Sequence, residues 1–474
     1  MSVFAPRLSK AAAFAALPPV WAEELQPRVL AAARASDRTV VVLDDDPTGT
    51  QTVYDLPVVT RWDRSTLRDE LARGLPCFFI LTNSRSLPTD GARALARELA
   101  ENLRSASALT GRSFTLISRG DSTLRGHFPQ ETDMLDEVCG PFDATVLAPY
   151  FEAGGRYTLG GIHYVAEGEV LVPAAATAFA RDPAFGYEQS DLRKWVQEKT
   201  EGRIRASAVR SLSVEVLRGG GPEAVTAALL ALPRGSVCAV DLCAPRDAEV
   251  LAAATLAAEL TGKKYLYRTA ASFVSARLGL APRPLLTASD LAEAETVRTG
   301  GLVVVGSHVP KTTAQLEELI AKHAPKTVEL DVAQLLDPAK RNDLLRGAIE
   351  TVSTLLAAGE DVAVYTSRGL HTGGNAAASL DIGQRVSDAL VSVVRGLTVR
   401  PRFLIAKGGI TSSDLATRGL DVVRAWVRGQ ILPGVPVWQL GQETRYPGLN
   451  YVVFPGNVGD TGALAAAFAK FHPS

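Results

Sequence analysis

Short runs of β-branched and apolar residues recur along this chain, each ending in polar or glycine-bearing positions and many followed by an alanine- and leucine-rich stretch of helical length. Parallel strands joined by crossover helices produce that pattern, because helices cover both faces of such a sheet and its strands read as continuous apolar runs. In the first half the runs are TVVVLD at 39–44, PCFFILT at 76–82, SFTLIS at 113–118 and ATVLAP at 144–149, with a helical pattern at 89–104. From 150 to about 215 the alternation loosens into a glycine-, proline- and charge-containing stretch, which predicts a long insertion within the first domain; SVCAVDL at 236–242, a helix near 246–261 and KKYLY then resume it.

A second block opens after APRPLL and a polar segment near 281–301, with strands GLVVVGS at 301–307, TVEL at 327–330, DVAVYTS at 361–367 and RFLIAKGG at 402–409. Helices are expected near 310–323, 338–358 and 379–396. A chain of 474 residues is too long for one core, since single cores tend to split beyond roughly 250–300 residues. The expectation is therefore an α/β protein of two domains, each a mostly parallel sheet flanked by helices, at 37–285 and 300–470, preceded by an extension at 1–36. No internal repeat, heptad or low-complexity tract interrupts this reading.

The formal net charge is −1, so no overall field favours nucleic acid or an anionic membrane, and small molecules are the expected partners. Cys77, Cys139, Cys238 and Cys243 lack CxxC spacing and mostly sit in apolar runs, as buried reduced thiols do. The alanine-rich N-terminal stretch meets Pro18 and Pro19 before a span of ~20 apolar residues develops, which reads as a soluble helical extension and a cytoplasmic protein.

Ligands in open α/β sheets gather outside the carboxyl ends of the strands. The first strand ends in Asp44, Asp45 and Asp46, followed by the turn Thr48-Gly49-Thr50. Three adjacent carboxylates repel one another unless donors, a cation or a hydroxyl-bearing ligand satisfies them; the plain alternative is a polar loop with an Asp cap. Asn83, Ser84 and Arg85 follow the second strand, and Arg119, Asp121, Ser122, Arg125 and His127 follow the third. Arginine forks match carboxylates or phosphates, while Ser and Asp suit sugar hydroxyls. After the fourth strand, Gly154, Gly155, Gly160 and Gly161 would let backbone approach a ligand, Arg156 offers another fork, and His163 reads more readily as structural than catalytic.

In the second block, Gly306-Ser307-His308 leads to a helix opened by Pro310, Lys407-Gly408-Gly409 leads to Thr411, Ser412 and Ser413, and Gly456-Asn457-Val458-Gly459 precedes Asp460 and an alanine-rich helix. Helix N-termini attract phosphate oxygens. The lysine stands before its glycines, unlike a Walker loop, and Ser307 and Thr411 are equally readable as helix caps.

Taken together, DDDPTGTQ, TNSRS, RGDSTLRGHF, GSHVPKTTAQ, KGGITSSD and FPGNVGD resemble, in order, the four-carbon acid sugar kinase family, across roughly residues 40 to 466. That resemblance implies a sugar-acid-binding N-terminal domain, an ATP-binding C-terminal domain, an active site in the cleft between them, and Mg²⁺ beside ATP. Carried over by motif, Asp44, Asp45, Arg85, Asp121, Ser122 and Arg125 fall on the acid side, with Asp44 and Asp45 as the catalytic candidates and Arg156 added from its position. Ser307, Gly408, Gly409, Ile410, Thr411 and Gly456 fall on the ATP side. The chain reads GGIT where many relatives read GGET, and DDDPTG where they read DDxTG.

The implied activity is transfer of the terminal phosphate of ATP to the terminal hydroxyl of threonate, erythronate or a 3-oxo-tetronate. A sugar-acid-responsive binding protein without phosphotransfer is the alternative. A dehydrogenase ranks below both, because no GxGxxG follows the first strand. Sequence spacing selects neither the stereoisomer nor the metal ligands nor the oligomeric state; a homodimer is one arrangement it allows.

Overall fold

A computed structural model describes residues 5–292, 297–307, 309–369, 376–456 and 458–472, with the side chains of 376–380 left aside. The chain divides into two compact units, Met1–Val53 with Arg61–Pro282, and Tyr54–Thr60 with Arg283–Ser474.

In the first unit, seven parallel strands lie in the order Arg210–Leu212, Ser236–Val240, Ala144–Ala148, Tyr265–Thr269, Ser113–Arg119, Arg38–Asp44 and Cys77–Leu81. Val41, Val42, Phe78, Phe79, Ile117 and Val146 are buried, as strands covered on both faces require. The helix Thr89–Thr110 covers them with Ala92, Ala96, Leu99, Ala100, Leu103 and Ala106, a stripe at three- and four-residue spacing, and stops where Gly111 takes φ 69°.

The stretch after 150 is more ordered than its composition predicts. It folds into an antiparallel sheet of Arg156–Leu159, Ile162–Glu167 and Val170–Pro173, and Leu8–Ser9 of the N-terminal extension pairs with Val170 and Leu171 as a fourth strand. Phe14 meets Tyr157 edge to face at 5.0 Å. Trp21 packs where a Cβ on Gly221 would come within 2.5 Å of its ring, and Arg218 donates to the Pro18 carbonyl at 2.8 Å while bridging Asp247. The extension is thus a docked part of the first unit, only partly helical, at Lys10–Ala15 and Gln26–Ala35.

Among its described residues, the second unit has an eight-stranded mixed arrangement. Leu56–Val59, Arg424–Leu432, Val435–Leu440 and Asn450–Phe454 pair antiparallel in that order, and Asn450–Phe454, Phe403–Lys407, Leu302–Val305, Val362–Thr366 and Lys326–Leu330 continue it in parallel. Its core joins Val303, Val305, Ile405, Val452 and Phe454 to Leu464 and Phe468 of the last helix. Among the described residues, no helix is long and apolar enough to cross a membrane.

Candidate active site

The register of the first sheet sets Asp44 beside Leu81 on one side and Arg119 on the other, with Thr269 beside Arg119. Segments leaving these strand ends therefore converge. Arg119 Nη1 donates to Asp44 Oδ1 at 3.1 Å and to Asp45 Oδ1 at 3.4 Å, and both carboxylates are buried. Burial pushes Asp44 up to about 7; Arg119 pulls it down, and Asp45 and Asp46 push it further up. Burial also raises Asp45, against Arg85, Arg119 and Arg268. Asp45 Oδ2 is buried with no hydrogen-bond partner, and a Cβ on Gly126 would stand 3.2 Å from it. Asp45 is thus a carboxylate with a poised, unoccupied oxygen.

Asp46 has another job. Its Oδ1 caps the 3₁₀ turn Pro47–Thr52 by accepting from the Thr48 amide at 2.8 Å and the Thr48 hydroxyl at 2.5 Å, and Oδ2 accepts from Arg85. Burial opposes ionisation there, yet Arg85, Arg119 and Thr48 together hold Asp46 below the usual carboxylate range.

Arg85 also lies 3.2 Å from Asp121, whose other oxygen accepts from Arg125 Nε at 2.9 Å; Arg125 Nη1 stands 3.5 Å from Asp182. Despite burial, Arg85 and Arg125 keep Asp121 ionised well below its ordinary range. Arg156 differs from these arginines. Its guanidinium and that of Arg125 lie over the ring of Phe179 at 5.4 and 5.1 Å, but among the described residues no carboxylate pairs with Arg156, and its Nε is buried without a partner. Burial lowers its affinity for a proton, with Asp121 pulling the other way.

Two histidines serve as supports. His163 Nε2 donates to the Ser122 carbonyl at 2.8 Å, which leaves Nδ1 to accept from the Thr158 hydroxyl at 2.9 Å, and burial drives its pKa to about 4. Ser122 is buried behind it. His127 Nε2 lies 3.1 and 3.0 Å from the carbonyls of Ser84 and Leu87. The amides of Gly160 and Gly161, expected to face a ligand, instead donate to Asp241 at 2.8 and 2.9 Å; these glycines, at φ 60° and 75°, serve a hairpin turn.

In the second unit, Val305 is in register with Lys407 on one side and Tyr365 on the other, and Lys407 with Phe454. Gly306-Ser307, Gly408, Pro455-Gly456 and Ser367-Arg368 consequently sit at one sheet edge. Gly408 has φ 117°, a conformation other residues rarely adopt, and a Cβ on it would lie 3.4 Å from the Cβ of Ser307. A Cβ on Gly306 would come 2.3 Å from the Thr411 hydroxyl oxygen, so these turns pack closely. Neither Ser307 nor Thr411 is a helix cap: Val309 precedes Pro310–His323 without a side-chain cap, and Gly408 is the cap of Gly409–Asp414. Ile410 is 63% exposed and Thr411 is buried. The Gly456 carbonyl accepts from Lys407 Nζ at 3.1 Å and from the Thr312 hydroxyl at 3.4 Å. His308 and Asn457 lie outside the described residues.

These two strand-end clusters coincide with two recognised domain types. Residues 40–277 match a sugar-binding N-terminal domain and residues 302–464 a nucleotide-binding C-terminal domain. The chain belongs to the four-carbon acid sugar kinase family. Within that kinase family it is 27% identical to a D-erythronate kinase of Heliobacterium modesticaldum over 420 residues, covering 84% of this chain and 87% of the relative. It is also 27% identical to a D-threonate kinase of Cupriavidus necator over 391 residues, covering 79% and 84%. The fold is shared with a solved Haemophilus influenzae protein (TM-score 0.62, 19% identity, covering 91% of this chain and 100% of that one). A Salmonella typhimurium LT2 structure described as a candidate tRNA synthase shares it too (TM-score 0.65, 18% identity, 92% and 100%).

Four charged residues of these clusters escaped the motif-based selection. Arg268, at the end of its strand, donates to the Ser118 hydroxyl at 2.7 Å and to Glu131 at 3.0 Å, and its guanidinium lies 2.5 Å from where a Cβ on Gly120 would be. Nothing in YLYRT marks that arginine, and Glu131 lies in the helix Gln130–Cys139. Of the other two, Lys407 was read only as part of the Lys407-Gly408-Gly409 turn, while Arg368 had a signal: Ser-Arg recurs at or just after a strand end in Ser84-Arg85, Ser118-Arg119 and Ser367-Arg368.

Proposed function

We propose that this member of the family is a cytoplasmic ATP-dependent kinase that phosphorylates the terminal hydroxyl of a four-carbon sugar acid, of the threonate, erythronate or 3-oxo-tetronate type. The observations that carry the reading are a buried Asp45 oxygen without a hydrogen-bond partner after the strand Arg38–Asp44 and, on the small antiparallel sheet, an Arg156 whose buried Nε has none and whose charge is felt by Asp121 and Arg125. One can accept a hydroxyl proton; the other can hold a carboxylate. The names of the kinase relatives point the same way.

In this reading Arg156, stacked on Phe179 beside Arg125, orients the acid's carboxylate, and Asp121 with Ser122 and Arg85 lines the path of its hydroxyls. The terminal hydroxyl oxygen bonds to the γ-phosphorus, the bond from that phosphorus to the β,γ-bridging oxygen breaks, ADP leaves, and the proton passes to Asp45. Asp44, raised by burial to about 7 and bonded to Arg119, is only partly charged near neutral pH, which limits the charge packed beside Asp45. The turns at Ser307, Gly408–Thr411 and Gly456 form the phosphate side.

Mg²⁺ would enter with the triphosphate and supply charge neutralisation there. The test is incubation of the purified protein with Mg-ATP and a panel of C4 acids, following ADP and phosphorylated product. Saturable acid binding with no turnover of any member would reject the kinase reading in favour of a sugar-acid sensor.

A further inference from the structure

Arg368 is the strongest residue in the second unit to which the proposed function gives no role. It follows the strand Val362–Thr366, so it stands on one side of the Gly306-Ser307 turn while Lys407 stands on the other. Its Nη2 donates to the Ser307 carbonyl at 2.5 Å and to the Thr313 hydroxyl at 2.9 Å, and Nε lies 3.2 Å from the same hydroxyl. These bonds fix the guanidinium plane against the turn and the first helical turn of Pro310–His323. Nη1 is buried with no partner, and among the described residues no carboxylate forms an ion pair with Arg368. Glu317 and Glu329 act on it only through space, and burial lowers its hold on a proton.

Lys407 shares that lack of compensation. It is fully buried, its Nζ donates to the carbonyls of Pro455 at 2.6 Å and Gly456 at 3.1 Å, and it stands 4.2 Å from the Phe454 ring centroid, with no ion-pairing acid among the described residues. Two desolvated cations on either side of one glycine turn are unfavourable until an anion arrives. An arginine fork already oriented by two bonds, with a third donor free, suits an oxygen of a polyphosphate chain.

We infer that Arg368 is a phosphate-binding residue of the nucleotide side, its Nη1 closing on a phosphate oxygen while Nη2 holds the Ser307 turn. This rests on the nucleotide reading of the second unit. The experiment is direct calorimetric binding of ATP, AMP and inorganic tripolyphosphate to the full chain and to Arg368→Gln, with four-carbon acid affinity measured alongside. The expected result is a loss of about tenfold or more for ATP and tripolyphosphate, a smaller loss for AMP and unchanged acid affinity. Wild-type ATP affinity in Arg368→Gln, with or without a lowered melting temperature, would overturn the inference and leave Arg368 as a brace. Failure of the wild-type chain to bind either polyphosphate would overturn the nucleotide reading itself. Should the Gln variant not fold, Arg368→Lys keeps the charge and loses the fork; a several-fold loss is expected, and full wild-type affinity rejects the proposal.

Discussion

The two strand-end clusters are both rich in charge but differ in how the charge is balanced. In the first unit Arg85, Arg119, Arg125 and Arg268 each pair with carboxylates, and only Arg156 of this group lacks one. In the second unit Lys407 and Arg368, at the sheet edge, have no carboxylate partner among the described residues. A balanced lattice with one open cation and one open carboxylate oxygen suits a small acid carrying many hydroxyls. An uncompensated pair of cations suits a polyanion. The difference between the units is therefore one of ligand charge, written in which partners the protein withholds.

The most severe way to break this comparison is at Asp45. Asp45→Asn removes the proton acceptor while keeping shape, and turnover should fall by about a thousandfold, within the range for a lost general base, with ATP affinity unchanged. Single-turnover product formation beside nucleotide titration separates the two. Since burial raises Asp45, and raises its neighbour Asp44 to about 7, the acid limb of activity should lie above the ordinary carboxylate range near about 4. An acid limb of kcat/KM near 4 would show that neither group titrates in catalysis.

Arg156 sharpens the comparison from the other direction. Arg156→Gln should raise KM for the acid by roughly ten- to a hundredfold, the size of a lost charge-assisted contact, and should change little for an uncharged polyol of the same length. Equal losses for acid and polyol would assign Arg156 to packing on Phe179. Arg125→Gln, by contrast, should also lower the melting temperature, because Asp121 and Asp182 would each lose a partner.

How much of this was legible beforehand follows from the kind of contact involved. Strands such as Arg38–Asp44 and helices such as Thr89–Thr110 carry their periodicity in consecutive residues, so the α/β architecture could be read directly. The hairpin Arg424–Leu432 and Val435–Leu440 was missed because RAWVRGQIL alternates and contains a register-shifting glycine, unlike the continuous apolar runs of the parallel strands. The 150–215 stretch reads as an insertion, but its antiparallel sheet is not legible there, because Leu8–Ser9 completes that sheet from more than 150 positions away in sequence. Asp44, Asp45 and Arg85 can be selected from the sequence because the motifs place them at strand ends. What no motif could supply was occupancy: that Asp46 is held by Thr48 and Arg85 while Asp45 keeps an oxygen free, or that Gly160 and Gly161 answer to Asp241.

The smallest effect expected lies in the pH dependence of stability at Lys407. Burial, reinforced by Lys311, lowers its folded-state pKa to about 7, whereas an unfolded lysine titrates near about 10.4. Between those values the unfolded chain binds the extra proton, so the protein should gain stability as pH rises from 7 towards 10, and below pH 7 the burial penalty is present in full. After relaxation of the site, a contribution of about 1–2 kcal/mol is reasonable, or a rise of a few degrees in melting temperature over that window. Lys407→Met, which keeps the stem and discards the charge, should remove this Lys407-dependent rise. Identical pH slopes in the two proteins would mean that Lys407 stays protonated in the folded state, held by the carbonyls of Pro455 and Gly456, and that the second unit carries its full positive charge even before a nucleotide binds.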